Sequence, residues 1–216
     1  MTYFKHNWLA LIFLVFINGV AVAVPTDIAG VVNGYVKGSG DVAANATSIT
    51  HTGAFRGSIS SISSGDQLLI MQMQGAVMNA PNTDSYGDGV GTGAHLDTTP
   101  TDTHGSTAYA GGVISHTAGA YELATVASVV ASVVTLTRGL NNPYTDTGNG
   151  NWQIIVTPDY LTDGARLTGQ ITSAPWDCDT GGVVAFLATG GSIDFNGNSI
   201  TTSAQGFRGG VEFDTG

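Results

Sequence analysis

Cysteine occurs once in the 216 residues, as Cys178, and charge is scarce throughout. One cysteine excludes an internal disulfide. It leaves a buried thiol, a reactive thiol or an intermolecular link, and the buried thiol is the expectation. Asp, Glu, Lys and Arg make up only 10 % of the chain, against about 25 % in an average domain. Only six residues are Lys or Arg against sixteen Asp and Glu, a net charge of −10. Nucleic acid and anionic membranes both select basic surfaces, so neither is expected as a partner. Sustained helical periodicity with caps is missing as well, which argues against helices. The nucleophile pattern G-x-S-x-G does not occur, and no Gly-rich phosphate loop joins a strand to a helix.

What is present begins with a secretory pattern. Lys5 and His6 form a basic head, Trp8 to Ile17 is apolar without a break, and Asn18-Gly19 interrupts it. Ala21-Val22-Ala23 then supplies a small-x-small cleavage signal, so residues 1–23 read as a signal peptide. A membrane anchor is the rival reading, but it needs about 20 consecutive apolar residues. The chain is therefore expected to be secreted, extracellular or on the outer cell surface. It would not be integral to a membrane once the leader is removed.

The rest has the texture of β-structure. Apolar residues make up 42 % of the chain, enough for a core, and glycine numbers 31. The apolar runs are short, β-branched and bounded by Gly, Asn, Asp or Pro. Strands are predicted at Gly30–Lys37, Thr47–Thr52, Gln67–Gln74, Gly112–His116, Tyr121–Val126, Val129–Thr137, Trp152–Thr157, Arg166–Ile171, Val183–Thr189, Ser192–Phe195 and Asn198–Thr202. Val126–Leu136 would also pass for a buried helix. Its valines favour two strands, with a reversal near Ala131-Ser132. In Gln67–Gln74, Leu68, Ile70 and Gln72 share one face and Leu69, Met71 and Met73 the other, which predicts a strand covered on both sides. Glu122 reads as a solvated or loop-bonded residue rather than a catalyst. Asn79–Ala110 is a long polar linker.

These patterns predict an all-β fold: a β-sandwich or barrel over residues 24–158, then the start of a β-solenoid over 159–216. In the second part Phe186, Ile193 and Ile200 recur every seven residues between Gly/Asn turns, as stacked rungs would. A last hairpin of the preceding domain is the alternative. The glycine-rich run at Gly216 lacks the look of a solenoid cap. A truncated piece of a longer protein is the expectation, and an open end that meets a partner is the other reading.

Several blocks form a recognisable set: Val31-Val32-Asn33-Gly34-Tyr35, the run Gly65 to Ala76 (GDQLLIMQMQGA), Gly119-Ala120-Tyr121-Glu122, Thr135-Leu136-Thr137, Pro175-Trp176, and Gly181 to Phe186 leading to Gly206-Phe207-Arg208-Gly209-Gly210. In this order they resemble the N-terminal region of large secreted surface proteins of gliding bacteria, including adventurous-gliding-motility-type and C-terminally sorted cell-surface proteins. The resemblance implies an extracellular adhesive or structural protein and brings over no catalytic residue. Trp176-Asp177-Cys178-Asp179 departs from it, because similar sequences carry a turn without cysteine there.

Two clusters offer oxygen ligands for Ca²⁺. Asn82, Asp84 and Asp88 lie in NTDSYGDGVG, and Asp194, Asn196 and Asn198 alternate in DFNGN. Neither matches the twelve-residue Ca²⁺ loop, and the second set is expected to bond its own turn. His95, Asp97, Asp102 and His104 offer a weaker Zn²⁺ set. Asp177 and Asp179 beside Cys178 argue against a catalytic thiolate. The function expected is thus a non-enzymatic extracellular structural or adhesive module, gliding- or attachment-related. Its partners would be glycans, surfaces or other copies of itself, with Ca²⁺ the leading candidate cofactor. The alternatives are a carbohydrate-active enzyme or sugar-binding module, and a self-assembling filament subunit.

Overall fold

The structure is a computed structural model, and it describes residues 24–75, 77–78, 113–115, 118–148 and 150–206. The predicted leader, the Ca²⁺ candidates Asn82, Asp84 and Asp88, and the four proposed Zn²⁺ ligands lie outside the described residues. The strands are β1 (Thr26–Val31), β2 (Gly34–Ser39), β3 (Ser48–Gly57), β4 (Gln67–Gln74), β5 (Val77–Met78), β6 (Val113–Ser115), β7 (Tyr121–Val130), β8 (Val133–Leu136), β9 (Asn151–Thr157), β10 (Ala165–Thr172) and β11 (Ile193–Asp194). The one helical element among the described residues is a single 3-10 turn, Leu161–Asp163. No helix there is long and apolar enough to cross a membrane.

Six strands close into an antiparallel barrel in the order β2-β3-β8-β7-β4-β9. Of the two architectures expected, the barrel is therefore the one adopted. Its interior is made by alternation. Leu68 and Ile70 of β4, Ala124 and Val126 of β7, and Trp152, Ile154 and Val156 of β9 all point into one cluster with Val36, Ile49 and Val134. A barrel this narrow has room only for side chains. Trp152 is its largest, wholly buried, and lies so close to β2 that a methyl group on Gly38 would sit 2.1 Å from the indole. The predicted reversal at Ala131-Ser132 joins β7 to β8, with Ala131 at φ +52°.

A second unit lies against the barrel. β1, β10 and β11 form a parallel sheet, extended by isolated pairings of Asp159 with Leu187 and Ile171 with Ile200. β1 thus lies outside the barrel, and the predicted strand Gly30–Lys37 is two strands in two sheets, turned at Val32-Asn33. Ile28, Val32, Ala165, Leu167 and Ile171 form a small core under this sheet, with Tyr160, Val184 and Phe186 packed on it. Ala165 pairs with Ile193, Ile171 with Ile200 and Asp159 with Leu187, so parallel partners stand 28 or 29 residues apart. The seven-residue recurrence is therefore not the step between stacked positions. Phe186, Ile193 and Ile200 follow one another along a single run of chain, and Ile193 and Ile200 remain 38 % and 39 % exposed.

Candidate functional site

β9 is buried at all seven positions because both of its faces are covered. Its even-numbered residues fill the barrel. On the other face Asn151, Gln153 and Ile155 meet a stretch of chain, 174–185, that has no ladder partner among the described residues and lies across β2, β9 and β4. Tyr35, Ile155 and Ala174 form the apolar contact there, with Val31, Leu69 and Val183.

Side-chain amides take the place of a ladder. Asn33 donates from Nδ2 to the carbonyl of Ala185 and accepts the Ala185 N–H at 3.1 Å. Gln153 does the same for Gly181, with bonds of 3.1 and 2.8 Å. On the rim, Gln72 holds both peptide groups of Thr145 at 2.8 Å. A buried peptide group left unpaired is costly, so each amide answers both demands of one residue. Arg56 adds bonds to the carbonyls of Thr180 and Pro175 and an ion pair with Asp177 at 2.8 Å. The Tyr35 hydroxyl donates to the Val183 carbonyl at 2.6 Å, and burial pushes its pKa up to about 12.

Where this covering stretch reaches the barrel rim, a cleft of about 590 Å³ opens, lined by Lys37, Gln74, Gly150, Asn151, Cys178 and Asp179 among others. The Lys37 ammonium stands 2.9 Å from Asp179 and 3.7 Å from Asp146. The bond to Asp179 raises its pKa despite some desolvation. Asn151 donates from Nδ2 to the Cys178 carbonyl at 2.8 Å, which fixes its orientation. Its Oδ1 is buried and has no hydrogen-bond partner. The rim itself is pinned: Asp41 accepts from the N–H groups of Asp146 and Thr147 and from the Thr147 hydroxyl, and Asp146 accepts from the Gly40 N–H.

Cys178 is exposed, not buried as expected. It occupies a left-handed turn, φ +87°, in the lining of the cleft, and its peptide carbonyl is engaged by Asn151. Its acidic neighbours are matched by cations, Asp177 by Arg56 and Asp179 by Lys37. Glu122 is loop-bonded: its carboxylate accepts from the N–H groups of Asn141 and Asn142 and from the Tyr144 hydroxyl.

Comparison with known proteins adds little. No family model and no curated protein matches the chain. Among solved structures, the Gp54 tailspike of Acinetobacter baumannii bacteriophage AP22, in complex with A. baumannii capsular saccharide, aligns over 67 % of this chain and 17 % of its own. The identity is 14 % and the TM-score 0.32. The tailspike gp49 of Pseudomonas phage LKA1 aligns over 69 % and 23 %, at 13 % identity and TM-score 0.29. The chain spans less than a quarter of either structure. A likeness this slight assigns neither fold nor ligand.

Of the described candidates from sequence, Asp194, Asn196 and Asn198 do come together, but as a turn. Asp194 accepts the Asn196 N–H, and Asn196 and Asn198 both turn their amide NH₂ to the Leu167 carbonyl. Among the described residues no three His, Cys, Asp or Glu side chains converge to hold a metal. Sequence reasoning passed over Lys37 and Asn151. The available signal was rarity: the four Lys and Arg within the described residues each engage a carboxylate or a carbonyl, and only Lys37 does so beside a cleft.

Proposed function

We propose that this chain is a secreted, non-enzymatic structural and adhesive module of the cell surface, in which a closed barrel carries the first coil of a β-solenoid and meets glycans. The observation that carries the reading is the constant 28- or 29-residue offset of three parallel pairings laid against a barrel that already buries its own core. Regular offset is how a coil stacks on its predecessor. The outer coil is polar and nearly uncharged, and it leaves Ile193, Phe195 and Ile200 partly uncovered, which suits contact more than isolation. Lys37 engages Asp179 of the cleft and Asp146 beside it, an arrangement that supports binding over acid–base hydrolysis. Kinship with the surface proteins of gliding bacteria belongs to the same proposal.

The test is to pass the purified chain over immobilised polysaccharides and assay the eluate for new reducing ends. Retention without cleavage is expected. Release of reducing ends would replace this reading with the carbohydrate-active enzyme. Absence of retention on every polysaccharide would remove its adhesive part.

A further inference from the structure

We infer that the rim cleft between Lys37, Asn151 and Asp179 is a subsite for a neutral saccharide, selective against uronic acids. The inference rests on the glycan-binding reading above and names its site and ligand class. Its first support is the orphaned acceptor. Asn151 is 3 % exposed, its amide is oriented by the bond to the Cys178 carbonyl, and Oδ1 has no partner although the residue lines the cleft. Buried acceptors are normally satisfied, so this oxygen is an unmet demand in a residue of the cleft wall.

The second support is charge. The Lys37 ammonium serves Asp179 in the lining and Asp146, 3.7 Å away and outside it, so the charge in and beside the cleft sums to negative. Asp179 keeps about half of its side chain exposed and can accept further bonds, while Lys37 has spare donor capacity beyond its ion pairs. Of the charged groups in the lining, Lys37 donates and Asp179 accepts. Vicinal hydroxyls answer both, since each hydroxyl donates one proton and accepts through its oxygen. A uronic acid keeps ring hydroxyls but replaces one hydroxymethyl donor by a carboxylate, an acceptor of like charge, in the same place. The pinned loops at Asp41 and Thr145 hold this geometry before a ligand arrives, which lowers the ordering cost of binding.

Calorimetric titration of the full chain with neutral glucose, mannose and galactose hexasaccharides, with hexagalacturonate and glycerol as comparators, tests the inference. At least one neutral hexasaccharide is expected to bind, with hexagalacturonate about tenfold weaker or absent. Asp179→Asn is expected to weaken the neutral ligand about tenfold and to narrow the gap to hexagalacturonate. Lys37→Gln is expected to weaken the neutral ligand and widen that gap. Asp163→Asn, on the 3-10 turn beyond the other end of β9, is the control and leaves both affinities unchanged. Circular dichroism of each variant confirms the barrel. Saccharide binding that ignores both Asp179→Asn and Lys37→Gln would overturn the subsite while leaving the glycan-binding reading intact. No saccharide binding at all would remove both. Equal affinity for hexagalacturonate, or full displacement by glycerol at matched hydroxyl concentration, would overturn the selectivity claimed here.

Discussion

The barrel and the stretch that covers it solve the same problem by opposite means. In the barrel, backbone answers backbone through antiparallel ladders, and side chains are left to fill the interior. Across β2 and β9, residues 174–185 have no ladder, and amides from Asn33 and Gln153 do the pairing instead. Ladder bonds are many and cooperative, whereas amide clamps are few and separable. The barrel should therefore resist as a unit, and its cover should open piecemeal.

The sharpest test of that contrast is Trp152→Ala. Emptying the centre of the barrel is expected to cost about 4 kcal/mol, and urea unfolding should show the whole chain losing stability together. Loss confined to the cover would break the comparison. Next comes Gln153→Leu, which strands the Gly181 N–H and C=O at a cost of about 2 kcal/mol. Hydrogen exchange should quicken at Gly181 while the amides of Ile154 and Val156 stay protected. Arg56→Met removes one donor from each of the Thr180 and Pro175 carbonyls and is expected to cost about 1.5 kcal/mol, again read locally.

The smallest effect is acid-dependent. Burial works to raise the Asp177 pKa, but the N–H groups of Thr180 and Asp179 and the Arg56 guanidinium outweigh it and hold it below the usual 3.8. The Thr189 hydroxyl and N–H, with the Leu161 N–H, do the same for Asp159. A folded-state pKa below the unfolded one stabilises above the unfolded value, and that contribution fades as pH falls through the folded one. Exchange at Thr180 and Thr189 should therefore quicken below about pH 4, ahead of Ile154. Simultaneous loss at all three would show that cover and barrel are one cooperative unit.

Strand β4 coincides with its prediction, Gln67–Gln74, and its inner face is the Leu68, Ile70 and Gln72 set that alternation predicts. Such elements were readable because apolar alternation and turn residues are local. The expected strand Val183–Thr189 is instead held at Ala185 by Asn33, 152 positions earlier. Nothing in either stretch alone announces that pairing. Ile193 and Ile200 misled for a related reason: even spacing looks the same in sequence whether or not the spaced residues pair, and each pairs with a residue 28 or 29 positions earlier. Cys178 was expected inside because cysteine usually is. Its exposure follows from the left-handed turn between two ion-paired aspartates. The cleft was the least readable feature, since Lys37, Asn151 and Asp179 meet only when β2, β9 and the cover converge.

The amide clamps carry a consequence for how this chain can change over generations. Asn33 at Ala185 grips peptide groups alone, and Gln72 at Thr145 grips both peptide groups with only a long 3.4 Å bond to the hydroxyl besides. The recipient positions are thus free to drift in chemistry while their path stays fixed, and constraint accumulates on the three amides that hold them. Gly181 is the exception: its φ of +104° and the Pro175 carbonyl, 2.6 Å from where a Cβ would sit, keep that position glycine. A surface built this way can alter what it displays without redesigning what supports it.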